Sequence, residues 1–381
     1  MKWKIDRRRR LIGNVRRQRP SMTLRQLYLA MPLILVLGCG KPEPSVQTSD
    51  GGTSTRTDTN ATELGIDVTL LDALADRLGS SEFKQIDSVL VLKNGEIIFE
   101  KYQNGYGPKQ VHDIASITKS VTSLLIGIAI DKGHIPSVDD KVVDYFQDTA
   151  YAKSWPADKR MITIRHLLTM QHGIAFDDYD DPNMKRFKSW LNSNDRIAHL
   201  LQQPMGMKPG QKSTYCTAST QLLRQVIEQS TGQSVEEFAR ENLFDPLGIK
   251  SFEWERSPKH GIGMGFGADA YPRDVAVLGR MIQQSGKWNG RQIVSSGWLE
   301  KSFRPHGKLL GIDYGYLWYG EPYSANGKQI QSHLAMGHGG QFLVLFPDLQ
   351  SILVIMAKDY DQNIDFYQLI QDFVIPICSK T

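Results

Sequence analysis

Residues 117–130 (Ile-Thr-Lys-Ser-Val-Thr-Ser-Leu-Leu-Ile-Gly-Ile-Ala-Ile) carry a single charged side chain, Lys119. A helix that is apolar on every side has to be buried, so the rest of the chain must be built around this segment. Ser116 stands at its mouth, three residues before Lys119. Positions i and i+3 share one face of a helix, which sets hydroxyl and amine side by side. The positive end of the helix dipole disfavours an ammonium in the first turn. Desolvation acts in the same direction and favours the neutral amine. A neutral amine beside a serine hydroxyl activates it as a nucleophile. The chain contains a second Ser-x-x-Lys, Ser81-Glu82-Phe83-Lys84, in a polar run with no apolar helix behind it. That copy reads as surface and shows that the four-residue pattern proves little alone.

The surrounding pattern is mixed. Residues 68–78 have helical periodicity and end at Gly79. Residues 88–92 and 96–100 flank Lys93-Asn94-Gly95 and predict a β-hairpin. Residues 134–285 read as mostly helical and loop-rich. Within them, residues 162–170 are amphipathic with Thr163 as cap, and residues 221–227 form a helix ended by Gly232. Ser234-Val235-Glu236-Glu237 has capping-box spacing. Strand patterns return after about residue 285: a strand over 314–319, then a pair over 341–346 and 351–357 separated by Pro347-Asp348. A helix over 361–373 closes the chain. This order predicts an α+β fold, an α/β sandwich in which one antiparallel sheet is flanked by N- and C-terminal helices, with a mainly α-helical region inserted. The α/β part is expected over 63–110 and 286–381 and the helical part over 111–285, with the site where they meet.

The net charge of +4 misleads. Ten of the 45 Lys/Arg and one of the 41 acids lie in residues 1–38, which leaves the remainder at −5. The body therefore offers no electrostatic case for nucleic-acid binding. Residues 27–37 are an apolar run interrupted by Pro32, preceded by Arg25. The run is too short to span a bilayer and suits an export signal over residues 1–38. It ends Val36-Leu37-Gly38-Cys39, which resembles a bacterial lipobox; in that reading Cys39 is lipidated and attaches an exported protein to the membrane, in the periplasm or at the cell surface. Met22 is an alternative start, and the run Arg7 to Arg10 lies too far from the apolar core for a twin-arginine signal. Residues 39–62, rich in Ser, Thr, Gly and Asp, read as a flexible tether. Cys216 and Cys378 are far apart, fit no metal or redox spacing, and are expected to be free. The histidines form no HExxH pattern, so no metal is expected.

Six segments, taken as an ordered set, resemble the serine β-lactamase and penicillin-binding-protein superfamily over about residues 65–375. They are Ala115-Ser116-Ile117-Thr118-Lys119-Ser120, residues 162–170, Lys208-Pro209-Gly210, Thr214-Tyr215-Cys216-Thr217-Ala218, Asp245-Pro246-Leu247-Gly248, and Gly337-His338-Gly339-Gly340-Gln341. The chain is most similar to the class C-like branch, which also holds esterases, D-amino-acid peptidases and nylon-oligomer hydrolases. The resemblance implies Ser116 as nucleophile, Lys119 and Tyr215 as a coupled base, and no cofactor. A phenol is a poor base at neutral pH unless a cation favours its anion, and Lys119 would supply that cation. The family pattern Tyr-x-Asn is here Tyr215-Cys216-Thr217, so the amide that contacts a β-lactam is replaced by a hydroxyl.

The third family motif, Lys-Thr-Gly on a strand edge, is matched by His338-Gly339-Gly340 in a hairpin shorter than that of class C enzymes; Leu334 or Ser332 is the alternative at the strand-edge position. The resemblance places an oxyanion-hole donor near Gln341, shared with the Ser116 N–H. It also places the acidic run Asp177-Asp178-Tyr179-Asp180-Asp181 on a loop near the cleft, either solvated or with Tyr179 or Asp181 touching a substrate ammonium. Residues 261–267 are glycine-rich without a P-loop lysine and are expected to be a flexible connection. The implied activity is hydrolysis of a small-molecule ester or amide through an acyl-enzyme on Ser116. A β-lactamase or D,D-peptidase is the alternative, and a non-catalytic lipid-anchored binding protein is the third reading.

Overall fold

The computed structural model describes residues 54–55, 63–181 and 183–379. The leader and Cys39 lie outside the described residues. Within the tether, β1 (Ser54–Thr55) pairs antiparallel with Glu100 and Lys101. Helix α1 (Val68–Leu78) is capped by the Asp67 side chain. The hairpin forms as expected from β2 (Ile86–Lys93) and β3 (Glu96–Tyr102). Asn94 and Gly95 turn it with φ of 51° and 83°, the left-handed pair a tight hairpin requires. Strand β4 (His112–Asp113) then leads into α2 (Ile117–Asp131), the central helix.

The helical part contains α3 (Ile164–Leu168), capped by Thr163, and α4 (Thr217–Thr231), ended by Gly232 at φ 70°. Helix α4 begins four residues before the segment the periodicity marked, directly after Tyr215 and Cys216. The small strands β5 (Glu253–Trp254) and β6 (Ala268–Ala270) pair, and β6 also pairs with β4. Helix α5 (Pro272–Gln283) lies in the region expected to be mostly helical, whereas α6 (Ser296–Phe303) stands where the pattern was expected to return to strands.

The expected strand over 314–319 is in fact a tight hairpin. After β7 (Gly307–Leu309), β8 (Ile312–Tyr314) and β9 (Tyr319–Gly320) are joined by a turn in which the Gly315 N–H donates to the Trp318 carbonyl. Next come β10 (His333–Gly337), β11 (Gln341–Phe346) and β12 (Ser351–Ala357). The C-terminal helical segment begins at Phe366, capped by Asp365, and runs through a π turn (Ile370–Val374) to Ser379, later and longer than the periodicity suggested.

These strands make one nine-stranded antiparallel sheet, ordered β1-β3-β2-β12-β11-β10-β9-β8-β7. Both ends of the chain complete it. Alternation along β11 separates the two faces. Phe342 meets Phe366 of the C-terminal segment, ring centroids 4.9 Å apart, whereas Leu343 faces α5 at Gly279. Helix α2 packs between β10 and α4. Its approach to α6 is so close that a Cβ on Gly127 would lie 2.3 Å from the Trp298 ring, and the Trp298 indole N–H donates to the Ser123 carbonyl at 3.1 Å. Every residue of α2 from Ile117 to Ala129 is buried, as its composition required.

Candidate active site

Ser116 occupies the N-cap position of α2. The residue before it, Ala115, has a left-handed backbone with φ 45°, an unfavourable conformation for alanine. That turn is held from several sides. The Asp113 carboxylate accepts the Ala115 N–H at 2.7 Å. The Ile114 N–H reaches the Ala268 carbonyl at 2.9 Å. Buried His112 lies 2.9 Å from the Asp87 carboxylate and 2.9 Å from the Asp113 carbonyl. The Ser116 N–H has no hydrogen-bond partner among the described residues.

Lys119 Nζ donates to Ser116 Oγ at 2.8 Å and to the Gly265 carbonyl at 2.8 Å. The Tyr215 O–H donates to the same Ser116 Oγ at 2.9 Å, and Lys119 Nζ lies 4.9 Å from the Tyr215 ring centroid. One hydroxyl is thus bracketed by an amine and a phenol. Lys119 and Tyr215 are buried, 3% and 5% exposed, while Ser116 is partly open.

The glycine-rich stretch is not a loose connection. The carbonyls of His260, Ile262 and Met264 accept from Arg224, Gln221 and Thr122 at 2.7–2.9 Å. Its purpose is visible at Gly265. A Cβ there would lie 2.7 Å from Thr220 Oγ1, 3.1 Å from the Thr217 methyl and 3.2 Å from Lys119 Nζ. Only glycine brings a carbonyl oxygen this close to the lysine. Sequence reasoning missed Gly265; the glycine run was its one signal.

The acidic run is likewise not a solvated loop at its centre. Asp178 is 2% exposed. Its N–H donates to the Tyr215 carbonyl at 2.8 Å, and its Oδ2 accepts the Thr217 N–H at 3.0 Å. Burial pushes its carboxyl up to about 6, with hydrogen bonding by Thr217 and then the Lys119 charge acting in the opposite direction. Tyr179 is partly buried and lies against Tyr215, ring centroids 5.1 Å apart. Burial, then Tyr215 and the neighbouring acids, hold its phenol well above the ordinary range. Asp181 instead shapes its own turn by accepting the Asn183 N–H at 2.7 Å. Thr217 directs its N–H to Asp178 and its methyl toward Gly265.

The third motif differs most from expectation. The strand residue lying against the serine turn is Gly337, where a Cβ would meet the Ile114 carbonyl at 2.7 Å and Ala115 Cβ at 2.9 Å. Ala335-Met336-Gly337 therefore occupy the end of the strand beside Ser116, and Leu334 and Ser332 lie further back. Gln341 sits on the next strand in, paired with Gly337. Its side-chain amide exchanges hydrogen bonds with the Ala357 backbone, 2.6 Å and 3.2 Å. His338 is the first residue of the turn, its ring 5.3 Å from that of Tyr360.

The Beta-lactamase family model matches residues 81–366. The chain belongs to the Beta-lactamase family. It is 26% identical over 330 residues to the 6-aminohexanoate-dimer hydrolase of Paenarthrobacter ureafaciens, covering 81% of this chain and 82% of that protein. In fold it is similar to the octameric penicillin-binding protein homologue from Pyrococcus abyssi, with a TM-score of 0.66 at 20% identity over 83% of this chain and 78% of that one. A family VIII carboxylesterase aligns with a TM-score of 0.60 at 15% identity over 76% and 91% of the two chains. The chain is thus one of the serine hydrolases that share the β-lactamase fold. Among the described residues of this family member no group of His, Cys, Asp or Glu is arranged to hold a metal ion. No described helix is long and apolar enough to cross a membrane.

Proposed function

We propose that this chain hydrolyses a small-molecule ester or amide through an acyl-enzyme on Ser116. The observation that carries the reading is the bracketing of Ser116 Oγ by Lys119 Nζ at 2.8 Å and Tyr215 Oη at 2.9 Å. Ser116 Oγ attacks the carbonyl carbon while the Lys119–Tyr215 pair takes its proton. The tetrahedral oxyanion accepts from the unpartnered Ser116 N–H. The second donor is assigned to the Gly337 end of β10 rather than to Gln341, because Gly337 is the strand residue that meets the serine turn. Tyr215 returns the proton to the leaving alcohol or amine. Water, deprotonated by the same pair, attacks the acyl carbon and releases the acid. No step needs a cofactor.

Two features favour a linear ester or amide over a β-lactam. Thr217 turns its N–H to Asp178 and its methyl to Gly265 instead of presenting an amide to the substrate. The strand end Ala335-Met336-Gly337 has no cation for a substrate carboxylate. The relative named as a 6-aminohexanoate-dimer hydrolase makes linear amides the first class to test. We also propose, from the leader alone, an exported protein held at the membrane by a lipid on Cys39.

The test is Ser116→Ala assayed with a short-chain nitrophenyl ester and a linear dipeptide-like amide. Loss of both activities is expected; survival of either rejects Ser116 as nucleophile. Labelling of Ser116 by a fluorescent penicillin, with no ester turnover, would favour the β-lactamase or D,D-peptidase reading.

A further inference from the structure

We propose that Asp178 is a positioning residue for this reaction: buried behind Tyr215, it fixes the tyrosine loop and sets negative charge against the Lys119–Tyr215 pair. The inference rests on the acyl-enzyme reading above and adds a group outside the bracketed hydroxyl.

The geometry is that of a clamp. Asp178 donates its N–H to the Tyr215 carbonyl at 2.8 Å and accepts the Thr217 N–H on Oδ2 at 3.0 Å. One residue from a separate loop therefore holds the main chain on both sides of Cys216, at the start of α4. A clamp alone needs a single acceptor oxygen, which an asparagine would supply. Asp178 has a second oxygen, Oδ1, that is buried and has no hydrogen-bond partner among the described residues. An ionisable group buried with one oxygen unmatched is destabilising, so its charge calls for a use.

The groups that act on it point to that use. Lys119 comes from α2, Cys216 and Thr217 from the α4 end, and Asp177 and Tyr179 from its own loop. Lys119 is the cation among them. When Ser116 loses its proton to the Lys119–Tyr215 pair, that pair becomes more positive. A carboxylate fixed in low-dielectric surroundings stabilises the added charge more strongly than one in water. Burial raises the Asp178 carboxyl to about 6, so the carboxylate is present above that pH and lost below it.

The experiment measures kcat/KM for a nitrophenyl ester from pH 4.5 to 8.5 for the full chain, Asp178→Asn, Asp178→Glu and Ser116→Ala. The wild-type profile is expected to fall on the acid side near pH 6. Asp178→Asn keeps one acceptor oxygen for the Thr217 N–H and removes the charge. It should lose that acid limb and drop kcat about 10- to 100-fold at pH 8 with KM little changed, as expected for an interaction made in the transition state. Asp178→Glu should retain an acid limb. A wild-type profile in Asp178→Asn overturns the inference. So does a wild-type enzyme with no acid limb between pH 5 and 7, an outcome readable even if Asp178→Asn fails to fold. An active Ser116→Ala rejects the acyl-enzyme reading instead, and an inactive Ser116→Ala beside an unaltered Asp178→Asn rejects the role of Asp178 alone.

Discussion

The Gly265 carbonyl oxygen lies 2.8 Å from Lys119 Nζ, and the same nitrogen lies 2.8 Å from Ser116 Oγ. The lysine is thereby held between a fixed backbone acceptor and the hydroxyl. An amine on a flexible four-carbon stem needs such a second anchor to stay in register with a nucleophile.

Gly265→Ala tests that anchor. Its Cβ would stand 2.7 Å from Thr220 Oγ1 and 3.2 Å from Lys119 Nζ, so the carbonyl or the lysine has to move. We expect a loss of about 1–3 kcal/mol in stability from overpacking. Displacement of a catalytic group by as little as 1 Å also predicts a fall of roughly 100-fold in kcat/KM. Denaturant melts and nitrophenyl-ester kinetics on one preparation separate the two effects. Unchanged kinetics would show that the anchor is dispensable.

Tyr215→Phe isolates the phenol. The ring would keep its contact with Tyr179 and its place over Lys119, while the O–H donated to Ser116 disappears. Stability should change by less than about 1 kcal/mol, but kcat should drop by about 10²–10⁴-fold, the usual weight of a general acid–base group. A stopped-flow trace resolving acylation from deacylation is expected to show both steps slowed, because the same phenol serves each.

Gly337→Ala addresses the strand beside the serine. An added methyl would collide with the Ile114 carbonyl at 2.7 Å and Ala115 Cβ at 2.9 Å, forcing β10 away from the Ala115–Ser116 turn. Activity should fall far more than in Gln341→Asn, which shortens a side chain bonded to Ala357 and not to the site. Equal losses in the two variants would show that the approach of Gly337 to the serine turn matters no more than the Gln341–Ala357 contact.

Acid stability follows from groups outside the site. Burial depresses His172 and His333 to about 4, below the unfolded value near 6.5. Each contributes stability that is present above pH 6.5 and lost as pH falls through 6.5 toward 4, by roughly 1–3 kcal/mol apiece. Asp178 works in the opposite sense: raised to about 6, it favours the fold below its unfolded pKa and loses that contribution as pH rises through 6. His333 stacks on Phe303, ring centroids 4.0 Å apart, so His333→Phe preserves the stack and removes one titrating group. The drop in urea midpoint between pH 7 and pH 4.5 should be smaller in His333→Phe than in the wild type.

Much of the architecture was legible from local pattern. Asn94-Gly95 fixed a hairpin turn by its left-handed preference, Thr163 and Ser234 capped the helices expected of them, and the strand pair expected over residues 341–346 and 351–357 matched two strands to the residue. Legibility failed where local signals were shared. Four of the five residues 177–181 are acids, and no periodicity shows that Asp178 turns inward while Asp181 shapes a turn. Glycines at 261–267 read as freedom, yet hydrogen bonds from α2 and α4 pin that stretch. The aromatic run over residues 314–319 matched a strand in composition but is folded back by a turn at Gly315, stabilised through contacts with distant residues such as the Ser302 carbonyl.

By itself the sequence determined a buried central helix with Ser116 and Lys119 on one face, because three residues of helical advance set that adjacency without any other part of the chain. Tertiary structure alone decided what surrounds the pair. Tyr215 arrives from 99 residues away and the Gly265 carbonyl from 146. Asp178 becomes a buried carboxyl only when its loop closes over the start of α4. Such contacts depend on loop closure and on which faces the sheet and helices present to one another, and neither is encoded in a spacing along the chain. Hence the nucleophile and its lysine were readable in advance, while the groups that would tune them emerged from the packing.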